Sequence, residues 1–255
     1  MARGAQVTVI MTQDAFEIDG LHRPGRWVVT CDHATNIVPD WVAGGDLGLP
    51  PADMERHIAY DVGAAGVTRR LAERLDSPAV LSRFSRLVID PNRGSRDPTM
   101  VRQIYDGSIV PGNAHISEAE IAERLDRLYR PYHDAIETAM ATRETPILCA
   151  VHSFTPRLKG KPNRPWEIGI LSASDDRLTR PIFDACLAEG WVTGWNEPYG
   201  GYLPGDSIDQ HATLSGRLQV LIELRHDLIS DAAGQTLWAD RLAGVLARTL
   251  QDTGL

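Results

Sequence analysis

Apolar positions along this chain follow two periods. Short, β-branched runs recur at residues 27–31 (WVVTC), 79–81 (AVL), 87–89 (LVI), 147–151 (ILCAV), 166–171 (WEIGIL), 191–193 (WVT) and 220–222 (VLI), each about the length of a buried strand. Between them the spacing turns helical. Ile58, Val62, Ala65, Leu71 and Leu75 place a helix over 53–75, stopped by Ser77-Pro78. Ser117-Glu118-Ala119-Glu120 is a capping box with Ser117 as N-cap and Glu120 at N3. It opens a helix through Leu125 and Leu128 that Pro131 interrupts before it continues over 133–141. Further helices are expected at 177–189 and 235–250, and residues 1–25 form an irregular or partly stranded lead-in. Strands alternating with helices predict an α/β fold: a central mixed, mainly parallel sheet flanked by helices on both faces. No repeat, low-complexity tract or linker divides the chain, so residues 1–255 read as a single domain.

The polar residues that end the apolar runs carry the chemistry. The 27–31 run stops at Asp32-His33, the 147–151 run at His152, the 87–89 run at Asp90-Pro91-Asn92-Arg93, and the 220–222 run at Glu223-Leu224-Arg225. Ligands of open α/β sheets bind outside the carboxyl ends of the strands. Two His, an Asn-Arg pair and a Glu-x-Arg are thus expected at one end of the sheet. Each has a bland alternative. A strand-end His can cap a loop, Asn92-Arg93 can be a turn with a structural salt bridge, and Glu223 and Arg225, on one face by alternation, can pair with each other. Arg86 reads either as a second carboxylate clamp or as a surface charge. The basic loop 157–164 is a steering element for acidic substrates or a solvated loop. His22, His115, His133, His211 and His226 are assigned to loops or surface.

Composition narrows the partners. A net charge of −8, without any block of Lys or Arg, argues against nucleic acid. No run approaches membrane-spanning length, and the N-terminus lacks the apolar core of a signal peptide, so a cytoplasmic protein without membrane partners is expected. Cys31, Cys149 and Cys186 are odd in number, two of them within core strands, and read as reduced and buried. A Cys31 nucleophile beside His33 is the minor alternative. Ser153 lacks a Gly-x-Ser-x-Gly elbow.

The segments DHATNIVPD, HIAYDVGA, SRLVIDPNR, DGSIVPGN, RPYHDAI, VHSFTP, RPWEIGIL, NEPY and IELRHDLI together resemble the N-formylglutamate amidohydrolase family, over nearly the whole chain. That family is similar to the zinc carboxypeptidases and aspartoacylases, so the resemblance implies their mixed sheet and one zinc ion. In those enzymes a His-x-x-Glu pair and a later His hold the metal, an Asn-Arg pair holds the substrate carboxylate, and a strand-borne Glu is the base. The resemblance therefore implies His33 and His152 as metal ligands, Asn92 and Arg93 as the carboxylate clamp with Arg86 and Arg225 as further candidates, and Glu223 as catalytic base. One departure stands out: the residue three after His33 is Asn36, not Glu. Asp61 is the preferred third ligand, with Asn36 and His57 as alternatives.

This layout suits a metal hydrolase. Three protein ligands leave a position open for water, a carboxylate moves the proton, and an Arg fork pairs bidentately with a substrate carboxylate. The expected partner is a small-molecule N-acyl amino acid, with N-formyl-L-glutamate cleaved to formate and glutamate in histidine catabolism. Alternatives are a deacylase or carboxypeptidase acting on another N-acyl amino acid, and a non-catalytic carboxylate-binding module of the same fold.

Overall fold

The computed structural model describes residues 10–12 and 14–255, so most of the expected lead-in lies outside the described residues. Ten strands occur among them: β1 (Ile10–Thr12), β2 (Phe16–Asp19), β3 (Trp27–Cys31), β4 (Ala79–Ser82), β5 (Ile104–Tyr105), β6 (Ser108–Ile109), β7 (Ile147–Phe154), β8 (Ile168–Leu171), β9 (Thr193–Trp195) and β10 (Leu218–Arg225). The helices are α1 (Pro51–Met54), α2 (Ala64–Arg74), α3 (Glu118–Arg124), α4 (Arg130–Ala141), α5 (Thr179–Ala188), α6 (Ser207–His211) and α7 (Ala232–Thr253). Eight strands form one sheet in the order β1-β2-β4-β3-β7-β10-β8-β9, and β5-β6 is a separate hairpin. The strands β4, β3, β7 and β10 run parallel at its centre; β2 and β8 join them antiparallel.

Alternation along the central strands sorts side chains into two cores. Trp27, Val29, Cys31, Cys149, Val151, Val220 and Ile222 pack with α2, α5 and α7 on one face. Val28, Leu148, Ala150 and Leu221 point to the other, against Tyr132, Ile136 and Met140 of α4. Covering both faces makes β3 and β7 wholly buried, which explains their unbroken apolar runs. The same two-residue period decides where the polar residues go. His152 and Glu223 share the α4 face and lie side by side, because β7 and β10 pair in parallel with Glu223 opposite His152.

Three expectations need correction. Leu87–Ile89 is buried but forms a turn, not a strand: Val88 N–H donates to the Ser85 carbonyl. The carbonyls of Leu87 and Val88 accept from the side chains of Asn113 and Arg124 instead of a neighbouring strand. The helix expected over 53–75 breaks in two. Residues 55–63 are turns, and α2 starts only after Gly63, whose φ of +80° suits glycine; a Cβ there would lie 2.0 Å from the Ile229 carbonyl oxygen.

The capping box at Ser117 is present as expected. Pro131 does not break its helix: it stands second in α4, directly after the stretch that joins α4 to α3. The join from α3 to α4 is a π-helical stretch, Leu125–Tyr129. No helix among the described residues is long and apolar enough to cross a membrane.

Candidate metal centre and its cavity

His33 leaves the end of β3, His152 stands on β7, and Asp61 sits in the turn before α2. Main-chain bonds fix that turn. Asp61 N–H donates to the His33 carbonyl at 2.9 Å, and Ser153 Oγ donates to the Val62 carbonyl at 2.9 Å. His33, Asp61 and His152 are all buried, and each offers a ligand atom within 4.8 Å of the others, so the three could hold a metal ion. Of the alternatives for the third place, Asn36 donates to the Met54 carbonyl and Glu55 instead, and His57 lines the cavity but faces Asp106.

The orientation of the imidazoles tests whether a metal fits. His33 Nδ1 and His152 Nδ1 lie 3.3 and 2.8 Å from the same oxygen, Asp61 Oδ2. Their outer nitrogens face other carboxylates: His33 Nε2 is 2.7 Å from Asp90 Oδ1, and His152 Nε2 is 3.3 Å from Asp32 Oδ2, off the line of an ideal hydrogen bond. An Nε2–H that donates to an outer carboxylate, as that of His33 does to Asp90, leaves Nδ1 as an electron-pair donor. Three such donors then converge on one point, an arrangement that could hold a cation between them. The residues fit a metal.

Electrostatics agree. Burial works against the Asp61 charge, yet His33 and His152 outweigh it and hold the carboxyl far below the usual range. Asp90 is likewise buried and held well below it, by Arg86 first and then His33. Asp32 falls to about 2 despite burial, through His152, His33 and the Tyr132 hydroxyl, which donates to it at 2.6 Å. His152 is buried too, but Asp32 and Asp61 raise it well above the ordinary histidine value. This is a strongly anionic cluster that favours positive charge.

The cluster forms the floor of a cavity of about 320 Å³ that also takes in Glu223, Asn92, Arg93, Arg86, Asp206, Tyr105 and Tyr199. Glu223 stands beside His152, and its Oε2 is buried without a hydrogen-bond partner. Burial pushes its carboxyl up to about 7, against the pull of His152. Such a carboxyl can exchange a proton near neutral pH. Room for it is made by Gly169 on β8: a side chain there would meet the Glu197 carbonyl oxygen at 2.0 Å and Glu223 Cβ at 3.4 Å.

The clamp candidates divide. Arg93 lines the cavity, and its one recorded hydrogen bond runs from Nη1 to the Asn92 carbonyl at 2.6 Å. Asn92 Oδ1 accepts from Ser207 N–H at 3.1 Å, which ties the Asp90–Arg93 turn to α6. Arg86 also lines the cavity but spends its terminal nitrogens on Asp61 at 3.3 Å and Asp90 at 3.0 Å. It is a counter-ion of the cluster, not an open cation. Arg225 does not line the cavity. It is the last residue of β10, donating to Asp227 and to the Pro165 and Trp166 carbonyls, and it makes no pair with Glu223.

Sequence reasoning gave no role to Asp32, Asp90, Tyr132 or Asp206. The signal for the first two was adjacency, since each belongs to a strand-end or turn motif already singled out. Asp206 is buried in the cavity wall as N-cap of α6, and burial lifts its carboxyl to about 6. His133 and His211, assigned to loops or surface, are a buried stacked pair; His133 Nε2 donates to the Pro91 carbonyl at 3.1 Å, so it does serve a loop, from inside. Burial pushes the Cys31 thiol well above its ordinary range, which removes it as a nucleophile.

Comparison with known proteins places the chain. No curated protein matches it. Among solved structures, gene product Atu2144 of Agrobacterium tumefaciens is 32% identical with a TM-score of 0.89, over 95% of this chain and 97% of that one. N-formylglutamate amidohydrolase of Ralstonia eutropha JMP134 is 18% identical with a TM-score of 0.67, over 94% of this chain and 98% of that one, a likeness of fold. The sequence profile of the N-formylglutamate amidohydrolase family matches residues 25–230, most of the chain. The profile match over most of the chain shows that this protein belongs to the N-formylglutamate amidohydrolase family, a family of hydrolases.

Proposed function

We propose that this protein is a zinc-dependent amidohydrolase that cleaves the N-formyl amide of an acidic amino acid, N-formyl-L-glutamate first among them, to formate and glutamate. The observation that carries the reading is the convergence of His33 Nδ1, His152 Nδ1 and Asp61 Oδ2 beside an unpartnered buried carboxylate, Glu223. A nitrogen–oxygen donor set of two His and one carboxylate matches zinc. When bound, the metal lowers the pKa of a water to about 7 and polarises the amide carbonyl. The rest falls to the protein. Arg93, steadied by the Asn92 turn, holds the substrate carboxylate through its planar fork. Glu223 accepts the proton of the attacking water and returns it to the departing amine. Its raised pKa suits both halves of that transfer. The outer carboxylates Asp90 and Asp32 keep the two imidazoles in their tautomers.

The test uses protein purified without a metal-affinity tag. Elemental analysis is expected to find about one zinc per chain, and N-formyl-L-glutamate to yield equal amounts of formate and glutamate. Zinc binding without formate release from any N-formyl amino acid would move the activity to another acyl group. A second reading, a deacylase for longer acyl chains, draws support from the apolar stretch of wall at Leu171, Leu203 and Leu221. An N-acetyl or longer N-acyl series on the same protein separates the two. Protein that takes up no metal and still binds N-acyl amino acids would be a binding module.

A further inference from the structure

Arg164 belongs to the basic loop between β7 and β8, the segment that sequence reading left as either steering or solvent. It is half-buried, and its guanidinium lies 4.9 Å from the centre of the Tyr199 ring and 5.8 Å from that of Phe154. Nη1 donates to the Thr155 carbonyl at 3.2 Å and to the Tyr199 hydroxyl at 3.1 Å. All three of these contact residues line the cavity. No carboxylate pairs with Arg164 among the described residues.

The distribution of its bonds matters more than their number. A guanidinium pairs with a carboxylate through two parallel N–H groups, and both recorded bonds of Arg164 leave from the same nitrogen, Nη1. The Nε–Nη2 edge is left with no recorded partner, on a group whose plane two rings and two oxygens already fix. Arg93 shows the same pattern, with Nη1 alone engaged. Arg86 and Arg225 do not, since each gives more than one of its nitrogens to acceptors. Two fixed cations with open forks thus belong to the site: Arg93, which lines the cavity from the turn after Asp90, and Arg164, which does not line it but is held by the β7–β8 loop against three residues that do. The field of Arg164 also reaches Glu223, so it acts on the space where the amide would lie.

We propose that Arg164 is a second carboxylate subsite in addition to Arg93, and that the pair selects N-acyl amino acids carrying a second, side-chain carboxylate. This rests on the reading above that the cavity takes N-acyl amino acids, and it names the residue that makes the acidic side chain a requirement. Arg93 alone would accept any amino acid. Arg164 is a specificity residue that takes no part in breaking the bond.

Glutarate and its monoamide test this without any amide cleavage, because they differ in one carboxylate and are nearly the same shape. Calorimetric titration of the zinc-loaded protein is expected to show the diacid binding about tenfold or more tighter than the monoamide. In Arg164→Gln that ratio should fall to near one. In Arg164→Lys it should be intermediate, since the charge remains and the fork is lost. A purely structural Arg164 would weaken both ligands equally and leave the ratio as in wild type, which would overturn the proposal. So would a wild-type protein that shows no preference or binds neither ligand. Failure of the functional reading looks different: a ratio that depends on Arg164 in a protein that releases no formate keeps the subsite and removes the reaction.

Discussion

Two pairs of buried histidines lie in this molecule, and their ring centres are almost equally far apart: 5.1 Å for His33 and His152, 5.0 Å for His133 and His211. The difference lies in where the nitrogens lead. His133 and His211 are connected in series. His133 Nε2 meets the Pro91 carbonyl at 3.1 Å, the two rings share a 2.7 Å hydrogen bond, and His211 Nδ1 lies 2.7 Å from Glu137. Protons alone satisfy every atom of that chain. His33 and His152 are instead connected in convergence, with both inner nitrogens aimed at one carboxylate oxygen and carboxylates behind each ring. That arrangement gathers three ligand atoms that could hold a metal ion, which the series arrangement does not. Burial and ring proximity do not distinguish a ligand pair from a structural one. The direction of the lone pairs does.

Breaking the convergent pair should have the largest effect. His33→Ala and His152→Ala are each expected to abolish bound zinc and activity while circular dichroism and the melting temperature report an intact fold. Stoichiometric zinc in either variant would return both residues to the structural class. Glu223→Gln comes next. It keeps the shape but removes the base, so turnover should fall about a hundredfold or more while zinc content stays that of wild type. Asp90→Asn tests the outer shell: zinc affinity should weaken about 10- to 100-fold, as measured by competition with a chelator.

Arg93→Lys keeps charge and loses the fork. The Michaelis constant for an N-acyl amino acid is expected to rise about tenfold, and to rise far less for the analogue whose α-carboxylate is an amide. Equal losses on both would assign Arg93 to support of the turn.

The series pair gives the smallest effect and the contrasting one. Burial first, and the neighbouring His211 second, lower His133 to about 4 from an ordinary 6.5. A histidine kept neutral in the fold binds fewer protons there than in the unfolded chain. Its contribution is therefore complete above pH 6.5 and is lost progressively as the pH falls toward 4, by up to about 3 kcal/mol. His133→Leu should flatten that part of the stability curve, cost about 1–3 kcal/mol at neutral pH through the lost hydrogen bonds, and leave zinc content unchanged. Denaturant melts across the pH range read all but the last, which elemental analysis supplies.

Much of this was legible in the chain because the sheet is buried on both faces. Unbroken apolar runs located β3, β7 and β10 and put His152 and Glu223 at one end of the sheet; that the two share a face follows only from the register of β7 and β10. Leu87–Ile89 misled for the same reason. Complete burial makes a turn as apolar as a strand, and its carbonyl partners, Asn113 and Arg124, are distant in sequence. Asp61 was readable as a residue type but not as a place, because Gly63 ends the turns and delays α2 beyond it. The use of each arginine was not legible at all. Arg86, Arg93, Arg164 and Arg225 differ in which nitrogens are already engaged, and composition carries no trace of that.

The π-helical stretch Leu125–Tyr129 has a consequence for how the chain tolerates change. Such a stretch holds one residue more than a regular α-helix would over the same span. Upstream, Arg124 is committed to Val88 and Asn113; downstream, Tyr129 donates to the Arg93 carbonyl and Tyr132 to Asp32. Removing a single residue from the stretch would therefore regularise the helix over the same span and keep its two ends in register. Removing one from the regular turn that follows, before Tyr132, would instead turn everything beyond it by about 100° relative to α3, swinging Tyr132 away from Asp32 and His133 away from Pro91. The stretch is thus the place where this helix tolerates a change of length, and elsewhere its register is fixed by the ends it joins.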